Sequence, residues 1–142
     1  MNLTKNFTLE EMLKSNTATN EGFWEQFKPL DDELKNLTLL CEKLLQPLRD
    51  SLPDGVMKVS SGYRCFRLNE AVGGVKNSQH LRGQATDVQY WEGGKMDNQK
   101  LFNKVKELDI DFDQCINENN GTWIHLSYNE GKNRRQFLNL TT

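Results

Sequence analysis

From Asp31 to Leu52 the apolar residues Leu34, Leu37, Leu40, Cys41, Leu44, Leu45 and Leu48 recur at helical spacing. Side chains three and four apart stack on one stripe of an α-helix, so this stretch predicts the longest helix of the chain, with its stripe toward the core. Pro47 lies inside it. Having no N–H and a ring that crowds the preceding turn, it either bends the helix or ends its regular part. Upstream, Thr8 and Glu11 have the spacing of a capping box, in which a hydroxyl and a carboxylate each satisfy a free backbone N–H, and "TLEEMLKS" predicts a short helix. Residues 16–30 predict a loop whose Phe23, Trp24 and Phe27 go to the core rather than to a binding rim.

The second half of the chain changes period. "MKVSSGYR" (57–64) predicts a strand ending in a turn, and "RLNEAVGG" one or two helical turns closed by Gly73 and Gly74. "GQATDVQYW" alternates as a strand does. Asp97 is placed to cap a helix carrying Leu101, Phe102, Val105 and Leu108 on one face. In "DFDQCINENNGTWIHLSY" the pair Asn120-Gly121 sits between two strand-like runs, the strongest short-range hairpin signal present. Helices first, then strands and helices with a hairpin, predict an α+β fold: helices packed on a small, mostly antiparallel sheet with a C-terminal hairpin. No repeat or linker interrupts residues 1–142, so one domain is expected.

Bulk properties narrow the function. A chain of 142 residues can bury roughly two-thirds of its unfolded surface, enough for a real core. With a formal net charge of -2 and no basic stripe, nucleic acid is not an expected partner. The short cluster Lys132, Arg134 and Arg135 is expected to be a solvated end of the chain. No apolar run approaches the ~20 residues that span a bilayer, so membrane insertion is not expected. The N-terminus lacks the apolar centre of a signal peptide, and a protein cytoplasmic as synthesised is expected. Cys41, Cys65 and Cys115 show no CxxC spacing and are expected as reduced, mostly buried small hydrophobes, which argues against a thiolate zinc cluster.

The chemistry concentrates in "SQHLRGQATD", residues 78–87. The chain has two histidines, His80 and His125. His80 and Asp87 bracket a turn that Gly83 permits, and Asp87 begins the next strand. With His125 on the second arm of the hairpin, two imidazoles and a carboxylate would form an open zinc site, three protein ligands with a fourth position for water. On spacing alone the alternative stands beside it: a loop-capping His80, a locally paired Asp87 and a hydrogen-bonded strand histidine.

The motifs resemble the zinc D-Ala-D-Ala carboxypeptidase family. Ser78, His80, Gly83, Ala85 and Asp87 fill each fixed position of that family's zinc signature, Ser-X-His-X-X-Gly-X-Ala-X-Asp. The chain is also similar to it in "LLQPLRDSL", "VSSGYRCFRLNEAVGG", "FDQCINEN" and "WIHLSY", from about Phe7 to Leu138, and most similar to short, single-domain, phage-encoded endolysin-like members. The resemblance implies His80, Asp87 and His125 as ligands of Zn2+, and Arg64 as the arginine that holds the substrate carboxylate, a task suited to a planar guanidinium. Ser78 and Gln79 flank the first ligand; they either donate to substrate, orient the zinc ligands or bond within the loop.

One part of the pattern is missing. Peptide hydrolysis needs a carboxylate to take a proton from water and pass it to the leaving amine. Many relatives carry it three residues before the last histidine, where this chain has Thr122. Glu118 is the candidate replacement; the alternative is a solvent-facing hairpin glutamate. If Asn120-Gly121 is a two-residue turn, Asn119 faces Thr122, Glu118 faces Trp123 and Ile116 faces His125. Glu118, Trp123 and His125 then share one face, with Gln114 and Ser127 further along it, and Glu118 lies diagonal to His125 at roughly 7 Å. The glutamate of "INEN" also resembles the short phage-type pattern. Asp113 is the fallback base, on the opposite face in this register. Trp123 is expected against the substrate; Tyr63, Tyr90 and Tyr128 either wall the cleft or belong to the core.

The expected activity is therefore that of a monomeric zinc metallopeptidase, with Glu118 and Arg64 in the catalytic machinery. It would hydrolyse stem peptides of peptidoglycan as a D-Ala-D-Ala carboxypeptidase or D,D-endopeptidase. The location implied is the cell wall after release, as for a phage lysin. The rival is a zinc-containing wall-binding or structural module that has lost hydrolysis, which Thr122 motivates.

Overall fold

The computed structural model describes residues 1–140. The chain begins with α1 (Leu9–Leu13), whose capping box forms as expected: the Glu11 N–H donates to the Thr8 hydroxyl at 3.2 Å and the Thr8 N–H to the Glu11 carboxylate at 2.9 Å. The stretch expected as a loop instead holds α2 (Asn16–Glu21), capped by Ser15 and closed by Gly22 at φ 74°, and a 3-10 turn over Trp24–Phe27. Only Ala18 of α2 is buried, so its polar sequence shows no apolar period to read. Trp24 is 63% exposed and Phe27 36%, contrary to the core placement expected; Phe23 alone packs, in part, on the core.

Their place inside is taken by Gln26. Fully buried, its amide donates to the carbonyls of Leu13 (2.9 Å) and Tyr63 (2.8 Å) and accepts from the N–H of Cys65 (2.8 Å). A buried amide with each bond made ties segments together, and this one pins Tyr63–Cys65 on either side of Arg64.

The long helix forms as α3 (Asp31–Leu40), a π-helical turn (Cys41–Leu45) and α4 (Gln46–Asp50), in unbroken right-handed backbone. Leu37, Leu40, Cys41, Leu44, Leu45 and Leu48 are buried and Leu34 half-buried. Pro47 does not end it. The turn before it is widened, with the Gln46 N–H reaching back five residues to Cys41, and such a π-turn is a known way to carry a proline's missing bond through a helix.

The sheet contains β1 (Gly55–Ser61), β2 (Ala85–Glu92), β3 (Lys95–Met96), β4 (Gln114–Glu118), β5 (Trp123–Ser127) and β6 (Gln136–Asn139), in the order β1-β2-β5-β4-β6 with β3 also on β2. Pairing is antiparallel except β4 with β6, which are parallel. The fold is thus the expected α+β, with two strands, β3 and β6, that local pattern did not reveal. Between β1 and β2 comes α5 (Phe66–Ala71), and between β3 and β4 comes α6 (Asn98–Glu107), whose Asp97 cap accepts from the Lys100 N–H at 3.2 Å.

Alternation along the strands separates two kinds of residue. Val88 and Tyr90 of β2, Ile124 and Leu126 of β5, and Cys115 of β4 join the helices in one buried cluster. Phe137 of β6 extends that cluster, its ring 5.4 Å from Phe102 and 4.9 Å from Phe112. The intervening residues, Asp87, His125, Ile116 and Glu118, fall on the other face.

Candidate metal centre

Ser78 accepts the His80 N–H at 3.1 Å and opens a 3-10 turn, Gln79–Arg82, that Gly83 closes at φ 73°. A side chain at Gly83 would be strained by that φ and would meet the Glu33 carbonyl oxygen at 2.5 Å, so helix α3 and the turn pack closely only because the residue is glycine. The turn delivers His80 beside the start of β2, where Asp87 stands opposite His125 of β5 in the ladder.

His80 is 3% exposed and Asp87 7%. The Nδ1 of His80 lies 2.7 Å from the carbonyl oxygen of Gly62. A carbonyl only accepts, so Nδ1 carries the proton and Nε2 presents its lone pair inward. Nε2 lies 3.4 Å from Asp87 Oδ1, and His125 Nδ1 is 3.1 Å from the same oxygen. The donor atoms of His80, Asp87 and His125 all lie within 4.8 Å of one another. Two nitrogens and a carboxylate oxygen, converging and partly shielded from water, fit a divalent transition-metal ion. The backbone carbonyl behind His80 is the kind of partner that fixes a ligand's tautomer.

Burial alone would raise the Asp87 pKa. The two imidazoles set against it, His125 first and then His80, outweigh burial and hold the carboxyl well below the usual range. Its second oxygen, Oδ2, accepts from Arg64 Nη2 at 3.2 Å. Arg64 also donates from Nε to Ser61 Oγ at 2.9 Å and from Nη1 to Asn69 Oδ1 at 3.2 Å. Each of its three nitrogens therefore has a protein partner, and Arg64 lines a separate surface pocket with Ser60, Ser61 and Tyr63, not the cleft that His125 borders.

The cleft beside the ligands, about 550 Å³, exposes Ser78, Gln79, Glu118 and His125 together. Glu118 and Trp123 face each other across the hairpin and Ile116 faces His125, the register expected. The turn differs: Asn119 and Thr122 do not form a ladder pair but belong to a tight connection in which the Thr122 N–H bonds back to Glu118 at 3.2 Å. Asn119, Asn120 and Gly121 have φ of 50°, 57° and 86°, a left-handed run that Asn and Gly tolerate best. The Trp123 indole N–H donates to Glu118 Oε2 at 2.9 Å, so its polar edge holds the carboxylate in place.

Asp113 is not on the far face. It precedes β4, outside the strand's alternation, and borders the same cleft. It is 1% exposed and accepts from the Arg134 N–H (3.0 Å), Nε (2.8 Å) and Nη2 (3.0 Å), and from Gln79 Nε2 (2.8 Å). The Arg134 hydrogen bonds hold its pKa below the ordinary value, which unsuits it to act as a base near neutrality. Arg134 and Arg135 are likewise not a loose end: Arg135 pairs with Asp109 and Asp111. Sequence reasoning missed this network because β6, which brings the arginines back to β4, carries no local signal.

Tyr63 and Tyr90 lie in the core, and Tyr128 packs against it. All three cysteines are free and buried, and burial pushes the thiols of Cys41 and Cys115 up to about 12, leaving them inert as thiolate ligands. Among the described residues, no helix is long and apolar enough to cross a membrane.

The sequence profile of the family described as Peptidase M15 matches residues 5–127. A comparison with curated proteins finds no significant match.

Proposed function

The chain belongs to the Peptidase M15 family, and on that premise we propose that it is a zinc-dependent peptidase hydrolysing peptidoglycan stem peptides, as a D-Ala-D-Ala carboxypeptidase or a D,D-endopeptidase. The observation that carries the reading is the convergence of the His80, Asp87 and His125 donor atoms beside a cleft that also exposes Glu118. Lewis acidity toward the scissile carbonyl, and acidification of a water molecule, are what the bound ion would supply.

The chain's own groups do the rest. His80 keeps its proton on Nδ1 through Gly62, so Nε2 stays available as a ligand. Arg64 neutralises Asp87 from behind and fixes its orientation. Glu118 takes a proton from the attacking water and returns it to the leaving amine. Trp123 anchors Oε2 of that carboxylate, so Oε1 is the oxygen presented for the transfer. Ser78 and Gln79 hold the ligand loop, through His80 and Asp113 respectively. The site of action fitting this substrate is the bacterial wall, reached after release as by a phage lysin.

Purified peptidoglycan incubated with the zinc-loaded protein should release peptide fragments, identified by mass spectrometry, and a chelator should stop their release. Fragment masses would name the bond cut. Folded, zinc-bound protein that releases nothing from several wall types would instead favour a module that keeps the metal and has lost hydrolysis.

A further inference from the structure

Past Ser61 the chain leaves the sheet, and residues 62–65 have no strand paired beside them. Their backbone groups must find partners one by one. They do so on two opposite sides. On one side Gly62 and Arg64 meet His80. The Gly62 carbonyl accepts from Nδ1 at 2.7 Å, and the Arg64 N–H donates to the His80 carbonyl at 3.0 Å. On the other side Tyr63 and Cys65 meet Gln26, through the Tyr63 carbonyl and the Cys65 N–H, each at 2.8 Å. Successive residues of a strand bond alternately in this way, so the Gln26 amide stands where a neighbouring strand would. Its other N–H donates to the Leu13 carbonyl at the end of α1, at 2.9 Å, and the Tyr63 N–H donates to Met12 there, also at 2.9 Å. Both N–H groups and the oxygen of a fully buried amide are thus in use.

We infer that Gln26 is a positioning residue for the metal centre: by fixing residues 62–65 from behind, it holds His80 in the place and the tautomer that bind the ion. This rests on the metallopeptidase reading and deepens it, by tying the metal centre to the N-terminal elements of the chain. The link is short. One width of backbone separates the amide from the groups that hold His80, and Arg64 of the same segment reaches Asp87 Oδ2 at 3.2 Å. Two of the three ligands therefore hang on four residues that Gln26 holds. Buried hydrogen bonds are costly to leave unmade, so the segment has one favoured position while the amide is present. Without it, the Leu13 and Tyr63 carbonyls and the Cys65 N–H lose their buried partner, and the segment shifts to satisfy them. A histidine released from its carbonyl shares the proton between both ring nitrogens and offers Nε2 only part of the time.

The test needs no substrate. Zinc affinity is read by competition with a chelating dye, and the His80 tautomer by nitrogen-15 NMR of the metal-free protein. Gln26→Met fills a similar space and removes all three hydrogen bonds of the amide. It should bind zinc roughly tenfold more weakly, the lower end of what a ligand's outer partners contribute. His80 should divide between two tautomers, where the wild type shows the proton on Nδ1 alone. Val105→Ala is the comparison: it opens a cavity on α6, which makes none of these bonds. It should melt at a lower temperature with zinc affinity and tautomer unchanged. If Gln26→Met does not fold, hydrogen exchange in the wild type decides. By linkage, zinc should slow the Cys65 N–H more than the amides of α6, and equal slowing overturns the inference. Wild-type affinity and a single tautomer in Gln26→Met also overturn it, as does an equal loss of affinity in Val105→Ala. In each of these cases, digestion of peptidoglycan by the wild type leaves the peptidase reading standing. A wild type that holds no zinc overturns both.

Discussion

Asp87 and Asp113 are both almost hidden from water, at 7% and 1% exposed, and both have pKa values held below the ordinary carboxylate range. They nevertheless do different work, and their partners decide it. Asp113 receives four hydrogen bonds from N–H groups of Arg134 and Gln79, donors with no lone pair to offer a metal, so its lone pairs are used up in joining β6 to β4. Asp87 receives one permanent donor, Arg64, on Oδ2. Its other oxygen faces two imidazole nitrogens, groups that can offer a lone pair to a metal beside it. Burial and a lowered pKa therefore do not by themselves mark a reactive carboxylate; the capacity of its neighbours to present lone pairs does.

The comparison can be broken at either carboxylate. Asp87→Asn should weaken metal binding by more than the roughly 100-fold typical of losing an outer-shell partner, and hydrolysis should vanish with it. Metal content after dialysis and peptidoglycan digestion measure this; an Asp87→Asn protein that retains its ion at full stoichiometry would falsify the ligand role. Next in size, Glu118→Gln should leave metal content unchanged and slow hydrolysis by about 100- to 10,000-fold, the usual contribution of a positioned acid–base group. An unchanged rate would move the base role elsewhere.

Asp113→Asn should do the reverse of Asp87→Asn. The metal should stay, while the amide, placing an N–H among donors, should cost about 1–3 kcal/mol of stability in denaturant titrations. Loss of metal with unchanged stability would erase the distinction between the two carboxylates. The smallest effect concerns pH. A carboxyl whose folded pKa is depressed contributes stability that is present above its unfolded value, near 3.8, and is lost as pH falls toward the folded one. The melting temperature of the wild type should thus fall on acidification below about pH 4, and Asp113→Asn should show a shallower fall over the same window. Parallel acid limbs in the two proteins would mean that the Arg134 contacts add nothing to acid stability.

How far the chain could be read in advance follows the range of the interactions involved. The α3–α4 stripe, the Thr8 capping box, the Asp97 cap and the β4–β5 register rest on contacts between near neighbours, and each appears in the sequence as a period or a fixed offset. The residues of the candidate metal centre could be picked out for a different reason: the spacing of "SQHLRGQATD" resembles a known signature, and only two histidines exist to complete it. What failed locally was α2, whose polar residues show no stripe, and the placement of Trp24 and Phe27, whose apolarity alone does not put them inside.

The α+β class, the main helices, the hairpin register and the set of donor residues were thus already written in the order of the amino acids, because short-range periodicity and chemical type are properties of neighbouring residues. Which atoms meet was settled only in three dimensions. His80 finds the Gly62 carbonyl 18 residues away, Arg134 finds Asp113 across 21, and His125 finds Asp87 across 38. Arg64 lies against Asp87 from 23 residues away rather than in the cleft bordered by His125 and Glu118. Such pairings depend on how the sheet is ordered and on the parallel return of β6, which bring together side chains that no local pattern relates.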